Sequence, residues 1–273
     1  MSVLYVVATP IGNLSDISQR ASDTLRMVDL IAAEDTRRTS ILLKHLGIEK
    51  KEIISFHKFN ETEKTPYLLA RLRGGETVAV VSDAGTPLIS DPGFSIVREA
   101  WLQQIKISPI PGPSSVIAAL SICPLNIDRW NFFGFLPSKT AEAELLLDMY
   151  LQRPDAIVFF DSPHRILSTL EILEKLSCRQ LMVVRELTKV FESMYVGKVS
   201  DVRSQIECNL KGEFIVILES NENVMPNIEE EKLLRVLLDY HELSTASKIV
   251  AKVLGLNKRD VYSRGIKLMR WSE

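Results

Sequence analysis

TVAVVSDAGTPLISDPG, residues 77–93, sets the architecture of the chain. It opens on Val78-Ala79-Val80-Val81, an apolar run without polar alternation, which predicts a strand buried on both faces of a parallel sheet. The strand breaks into Ser82-Asp83-Ala84-Gly85-Thr86-Pro87, and a second polar turn follows at Ser90-Asp91-Pro92-Gly93. In open α/β sheets, ligands sit beyond the carboxyl ends of strands, where loops offer backbone N–H groups and short polar side chains. Gly85 lets the backbone approach a ligand closely, while Pro87 and Pro92 stiffen the loop. The same composition also suits an ordinary strand-to-helix turn.

Outward from this stretch, short apolar runs alternate with helix-period segments. Strands are expected at 4–8, 30–33, 53–55, 78–81 and 105–110, with amphipathic helices at 17–27, 39–46, 63–72 and 94–103. That βαβ alternation argues for a mostly parallel sheet with helices on both faces. After PIPGPSS (109–115) the pattern restarts, with strands near 132–135, 157–160, 182–185, 194–196 and 214–219 and helices near 141–151, 166–176 and 202–208. The expected architecture is two α/β lobes, 1–115 and 116–222, joined near 112–122 with a cleft between them. SNENVMPN (220–227) reads as a linker. Beyond it, 226–273 reads as a small helical domain: one helix at 229–241 with three acids at its start, one at 245–254 capped by Ser244 and ended by Gly255, and one at 258–269 capped by Asn257. Two short helices about a Gly-containing turn fit a helix-turn-helix. From Thr245 to Glu273 there are seven Lys/Arg against two acids, a basic balance that serves RNA binding or merely a solvated bundle.

A chain of 273 residues with 46% hydrophobic and 25% charged residues has the composition of a globular protein. Its net charge of −2 gives no general pull toward nucleic acid or membrane, so any RNA contact must be local. Cys123, Cys178 and Cys208 are widely spaced and fit a reducing cytoplasm rather than a disulfide framework. MSVLYVVATP lacks the basic n-region of a signal peptide, and no apolar run has the length of a transmembrane helix. The four histidines (45, 57, 164, 241) lack ligand spacing and no Cys-x-x-Cys occurs, so no metal is expected. There is no G-x-G-x-x-G, no G-x-x-x-x-G-K-[ST] and no G-x-S-x-G. Dinucleotide dehydrogenases, P-loop NTPases and nucleophile-elbow hydrolases thereby lose their main sequence support.

Several further motifs stand in order with SDAGTPLISDPG: ATPIGNLSDIS (8–18), AAEDTRRT (32–39), PIPGPSS (109–115), FFGFLPSK (132–139), DSPHR (161–165), RELTK (185–189) and KGEFIVIL (211–218). Together they closely resemble the ribosomal RNA small subunit methyltransferase I family, within the tetrapyrrole-methylase-like (class III) methyltransferases. Two departures stand out: Asp161 replaces the family's usual Glu, and Phe191 stands where a His is common.

The resemblance implies S-adenosylmethionine as cofactor and methyl transfer to a ribose 2′-hydroxyl of a cytidine in the decoding region of bacterial 16S rRNA. It also implies a homodimer acting in the cytoplasm on the small ribosomal subunit, without membrane or metal. Pro10, Asp83, Gly85, Thr86, Pro87, Ser114, Ser115, Phe135 and Leu136 would then hold the cofactor. Arg37 and Arg38, with Lys258 and Arg259 of the tail, would contact RNA phosphates. Glu186 and Lys189, at the end of an apolar strand, are the candidate catalytic pair. Each motif has a plainer reading: Asp35 as a helix cap, PGPSS as a capped helix behind a rigid turn, Phe135 and Leu136 as core, and Glu186–Lys189 as an ion pair pinning a loop. Alternatives to the activity are another class III methyltransferase of tetrapyrrole or diphthine type, or a non-catalytic RNA-binding module.

Overall fold

The computed structural model describes residues 2–221 and 227–270. Its first sheet holds β1 (Val3–Val7), β2 (Leu30–Ala33), β3 (Glu52–Ser55), β4 (Val78–Val81) and β5 (Lys106–Ile110) in the order β3-β2-β4-β1-β5, every pair parallel. β4 lies between β2 and β1 and is buried along its length, as its unbroken apolar run requires. Alternate residues face opposite sides. Ile31, Ala33, Ala79 and Val81 meet α1 (Gln19–Met27) and α2 (Thr36–His45). Leu30, Ala32, Val78 and Val80 meet α3 (Glu61–Arg73) and α4 (Phe94–Leu102). Pro109 is accommodated because β5 is an edge strand.

The second sheet departs from the expected parallel arrangement. Its order is β6-β7-β10-β8-β9, from β6 (Trp130–Phe135), β7 (Ala156–Asp161), β8 (Leu181–Arg185), β9 (Ser193–Gly197) and β10 (Phe214–Leu218). Only β6–β7 is parallel; β10 runs antiparallel to β7 and β8, and β8–β9 is a hairpin. RELTK and the residues after it turn the chain back on itself within a few positions, a length that only antiparallel neighbours can bridge. α6 (Thr140–Leu151), α7 (Ile166–Leu176) and α8 (Val199–Ile206) bury one face. α5 (Ser115–Ser121), the first element after β5, buries Val116 and Ala119 against the other face and so ties the two lobes together.

The tail folds as α9 (Asn227–Leu238), α10 (Leu243–Leu254) and α11 (Lys258–Arg270) around Leu234, Ala246, Val250 and Val261. Gly255 ends α10 in the left-handed region, and the Asn257 side chain accepts from the Arg259 N–H as a cap. The cap of α10 is Glu242, not Ser244, which lies inside the helix. Gly265 lets α11 press on its neighbours, since a Cβ there would overlap Leu243 Cδ1. Most of the expected linker, residues 222–226, lies outside the described residues.

Candidate active site

The loops after β1, β4 and β5 meet because those strands are adjacent. Thr9 and Gly85 exchange two backbone hydrogen bonds of 2.9 and 3.0 Å, and the Thr86 hydroxyl donates to Pro113 O at 3.3 Å. Gly85 has φ +82°, and a Cβ there would meet only Ile11 Cγ2 at 3.4 Å and Pro113 O at 3.8 Å. The requirement for glycine is therefore its left-handed backbone more than protein crowding. Gly85→Val should lose about 1–2 kcal/mol of stability from forcing a β-branched residue into that region. It should also displace the loop enough to abolish S-adenosylmethionine binding by calorimetry; unchanged affinity would remove this loop from the ligand site.

A cleft of about 270 Å³ opens between the lobes, lined from the first by Ile11, Ala84, Gly85, Thr86, Ser114 and Ser115 and from the second by Phe135, Phe160, Val184, Leu187 and Ile215. Its charged lining among the described residues is lopsided: Glu34, Asp83, Asp91, Asp161 and Glu213 against the guanidinium of Arg38. Asp83 is held by the Asp35 N–H at 2.9 Å and reaches Arg38 at 3.5 Å, while its own N–H donates to Glu34 at 3.1 Å. Burial pushes the Glu34 carboxyl up, helped by the Asp83 charge. Burial, then the Glu34 and Asp83 charges, push Asp91 up to about 7. Asp161, 3% exposed, is also pushed up by burial, against the pull of the Thr169 hydroxyl, the Ser162 N–H and Arg165. Its Oδ1 accepts from Ser162 N–H, but among the described residues its buried Oδ2 has no hydrogen-bond partner.

Beside this cleft lies a second cavity of about 240 Å³, sharing Ile11, Arg38, Asp83, Ala84 and Glu213 and adding Pro10, Gly12 and Lys189. Lys189 Nζ donates to Glu186 Oε1 at 2.8 Å and to Glu213 Oε2 at 3.1 Å. Burial opposes its charge, but those two carboxylates outweigh burial and hold the ammonium above its usual range. Burial likewise opposes the Glu186 charge, but Lys189 and the Glu213 N–H hold that carboxyl below its usual range. The loop is stapled by buried Arg185, whose guanidinium donates to Lys211 O and Phe191 O. Glu186 (φ 54°) and Thr188 (φ 64°) both adopt the left-handed region, as do Leu88 and Ser90 in the opposite loop. Such strain in non-glycine residues concentrates at functional sites. The lobes touch here: a Cβ on Gly12 would overlap Lys189 Cγ, and one on Gly134 would lie 2.6 Å from Ser90 Oγ.

Of the expected residues, Asp83, Gly85, Thr86, Ser114, Ser115 and Phe135 line the larger cavity, and Pro10 and Lys189 the smaller. Arg38 lines both. Pro87 lines neither and serves the turn. Leu136, expected against the cofactor, is instead 3% exposed in the core of the second lobe, with its carbonyl accepting from Arg165. DSPHR thus anchors FLP rather than standing apart from it. Arg37 is turned away, paired with Asp35 at 2.6 Å, and Asp35 also caps α2. Glu186 lies behind Lys189. Lys258 and Arg259 sit at the start of α11, outside both cavities. Sequence reasoning missed Glu34, Asp91, Asp161 and Glu213 as site residues; their only signal was a place inside the quoted motifs. Among the described residues no group of three His, Cys, Asp or Glu side chains could hold a metal ion, and no helix is long and apolar enough to cross a membrane.

Comparison with known proteins places the chain in a family and agrees with its fold. Residues 3–203 match the family model "Tetrapyrrole (Corrin/Porphyrin) Methylases", and residues 225–268 match "RsmI C-terminal HTH domain". Proteins named ribosomal RNA small subunit methyltransferase I are similar over nearly the whole chain. The one from Synechocystis sp. is 42% identical, covering 98% of this chain and 99% of the relative. The one from Xylella fastidiosa is 40% identical, covering 95% and 97%. Among solved structures, uroporphyrin-III-C-methyltransferase from Thermus thermophilus superposes with a TM-score of 0.56 at 18% identity, covering 84% of this chain and 97% of that one, which is likeness of fold. Identity of this extent across both matched regions means that the chain belongs to the ribosomal RNA small subunit methyltransferase I family, within the tetrapyrrole methylases.

Proposed function

We propose that the protein transfers a methyl group from S-adenosylmethionine to a ribose 2′-hydroxyl of a cytidine in the decoding region of 16S rRNA, within the small subunit. In this reading it works as a cytoplasmic homodimer, with units 1–115, 116–222 and 226–273. The observation that carries the reading is the pair of adjoining cavities. The larger is acidic and suits a ligand bearing positive charge. The smaller balances Lys189 and Arg38 against Asp83 and Glu213, and admits an acceptor.

The residues fit the donor. The unpartnered Asp161 Oδ2 and the excess of carboxyls favour a cation, the Ser114–Ser115 start of α5 offers N–H and hydroxyl groups, and Phe135 offers an apolar face. When bound, the donor supplies a methyl already activated by a positively charged sulfur. The chain's own task is then alignment and handling of one proton. Lys189, kept protonated by its two carboxylates, stabilises negative charge developing on the 2′-oxygen. Glu186 has Oε1 committed to Lys189 and the Glu213 N–H, and so orients the ammonium. Glu213, exposed and lining both cavities, takes the proton.

The test is labelled methyl transfer to assembled small subunits and to extracted rRNA, with the site mapped by resistance of the neighbouring phosphodiester to alkali. Label on a base, or none in RNA, would overturn the reading. Deleting residues 226–273 should leave S-adenosylmethionine binding intact, weaken RNA binding by about 10–100-fold at moderate salt and flatten its salt dependence, since fewer phosphates are contacted. The mass of the deletion protein, measured alongside, separates this from loss of a dimer contact. Equal methylation by the truncated chain would make the tail structural.

A further inference from the structure

We propose that the carboxyl lining of the larger cavity is a charge selector: Asp91 and Asp161, from opposite lobes, favour the cationic sulfonium donor over its neutral thioether product. This rests on the donor reading above.

The two carboxyls reach the cleft by independent routes. Asp91 follows Ser90, whose Oγ lies against Gly134 of β6, and β7, the parallel neighbour of β6, ends on Asp161. Asp161 Oδ2 is buried without a hydrogen-bond partner among the described residues. A buried acceptor left unsatisfied calls for an explanation, and a cation entering the cleft would satisfy it. The cations near these groups already have other partners, although the Arg165 charge still pulls on Asp161. Arg38 pairs with Asp83 and is mostly exposed, while Arg165 donates to the Leu136 and Pro137 carbonyls. Like charges held together in a half-buried site repel one another, and an arriving positive charge relieves that repulsion where a neutral ligand does not.

Donor and product share adenosine and amino-acid parts and differ by one methyl and one positive charge. Contacts to the shared parts therefore cancel in the ratio of their affinities. The reaction makes the selection useful: as the oxygen–methyl bond forms, the carbon–sulfur bond breaks, its electron pair returns to sulfur, and the hydroxyl proton leaves to Glu213. The positive charge on sulfur disappears, and the product loses the interaction that held its precursor. Asp91 faces Glu34, Asp83 and the Ser82 hydroxyl of its own lobe, with Arg38, Asp161 and Glu213 lining the same cavity. Its carboxyl is held up to about 7, so the selection strengthens as pH rises through neutrality and Asp91 ionises.

Calorimetric titration of S-adenosylmethionine and S-adenosylhomocysteine into wild type, Asp91→Asn, Asp161→Asn and Asp161→Glu tests this without any methyl transfer. Each Asn variant should weaken donor binding about tenfold while changing product binding by less than about threefold. Asp161→Glu should keep the wild-type ratio. In wild type the donor-to-product affinity ratio should rise between about pH 6 and pH 8, and this rise should vanish in Asp91→Asn. Equal weakening of both ligands, or a ratio flat with pH, would overturn the selector and leave the donor site standing. Binding of neither ligand to folded wild type would overturn the donor reading itself. If Asp161→Asn fails to fold, Asp91→Asn decides alone.

Discussion

Lys189→Met should lower the single-turnover rate of methyl transfer to small-subunit RNA by about 10²–10³-fold, the range for removing one preorganised donor from a developing oxyanion. Methionine keeps most of the stem, which packs where Gly12 leaves room, and removes only the charge. Donor affinity should hold, because Lys189 lines the smaller cavity and not the larger. Stability should fall by about 1–2 kcal/mol, because the pair with Glu186 is only partly buried and Glu186 keeps the Glu213 N–H. The raised pKa of Lys189 means its ion pairs contribute fully below the unfolded lysine value and are lost only as pH rises through the folded value. Measurements near neutral pH therefore see the intact pair in wild type. A large drop in melting temperature with full activity in the folded fraction would make Lys189 a structural pin. A normal rate in a normally stable variant would leave Glu213 and alignment to account for the transfer.

The largest expected effect on stability lies far from the cleft. Arg179 is 5% exposed, and its guanidinium donates to the carbonyls of Leu151, Arg153, Asp155 and Glu219, tying the end of α6, the start of β7 and the end of β10 together. Burial opposes its charge and lowers its pKa, and among the described residues its guanidinium donates to carbonyls rather than to a carboxylate. Arg179→Met should cost roughly 3–5 kcal/mol, since several carbonyls lose a charged donor at once. Chemical denaturation would show this as a lowered midpoint with an unchanged slope. Arg179→Lys should recover little of the loss, because one ammonium cannot reach four carbonyls in the fork geometry of a guanidinium. A change below about 1 kcal/mol would mean that water replaces the guanidinium.

How far the chain could be read before folding follows from the range of the forces involved. Val78–Val81 declares a doubly buried strand because local hydrophobic pattern and secondary-structure period are the same information. The caps at Asn13, Asp35, Asn257 and Gly255 were legible for the same reason: each acts within a few residues. The turns after β1, β4 and β5 could be named as candidate ligand loops because open parallel sheets bind at that edge, and residues of all three line the cleft.

Pairing direction in the second sheet was not legible. Strand length and apolarity are alike in parallel and antiparallel strands, and direction comes from how RELTK and KGE turn the chain. Leu136 could not be told from Phe135 by composition, yet Phe135 ends β6 59% exposed, while Leu136, just past the strand, is in the core of the second lobe with its carbonyl held by Arg165. Arg179 carries no motif at all, since its partners are carbonyls, which every residue has. The placing of Asp91 and Asp161 in one cavity lining, and the pairing of Lys189 with Glu213, bring together residues distant in sequence. Charge interactions of this kind depend on separation in space and on burial, and both exist only once the two sheets and α5 have packed.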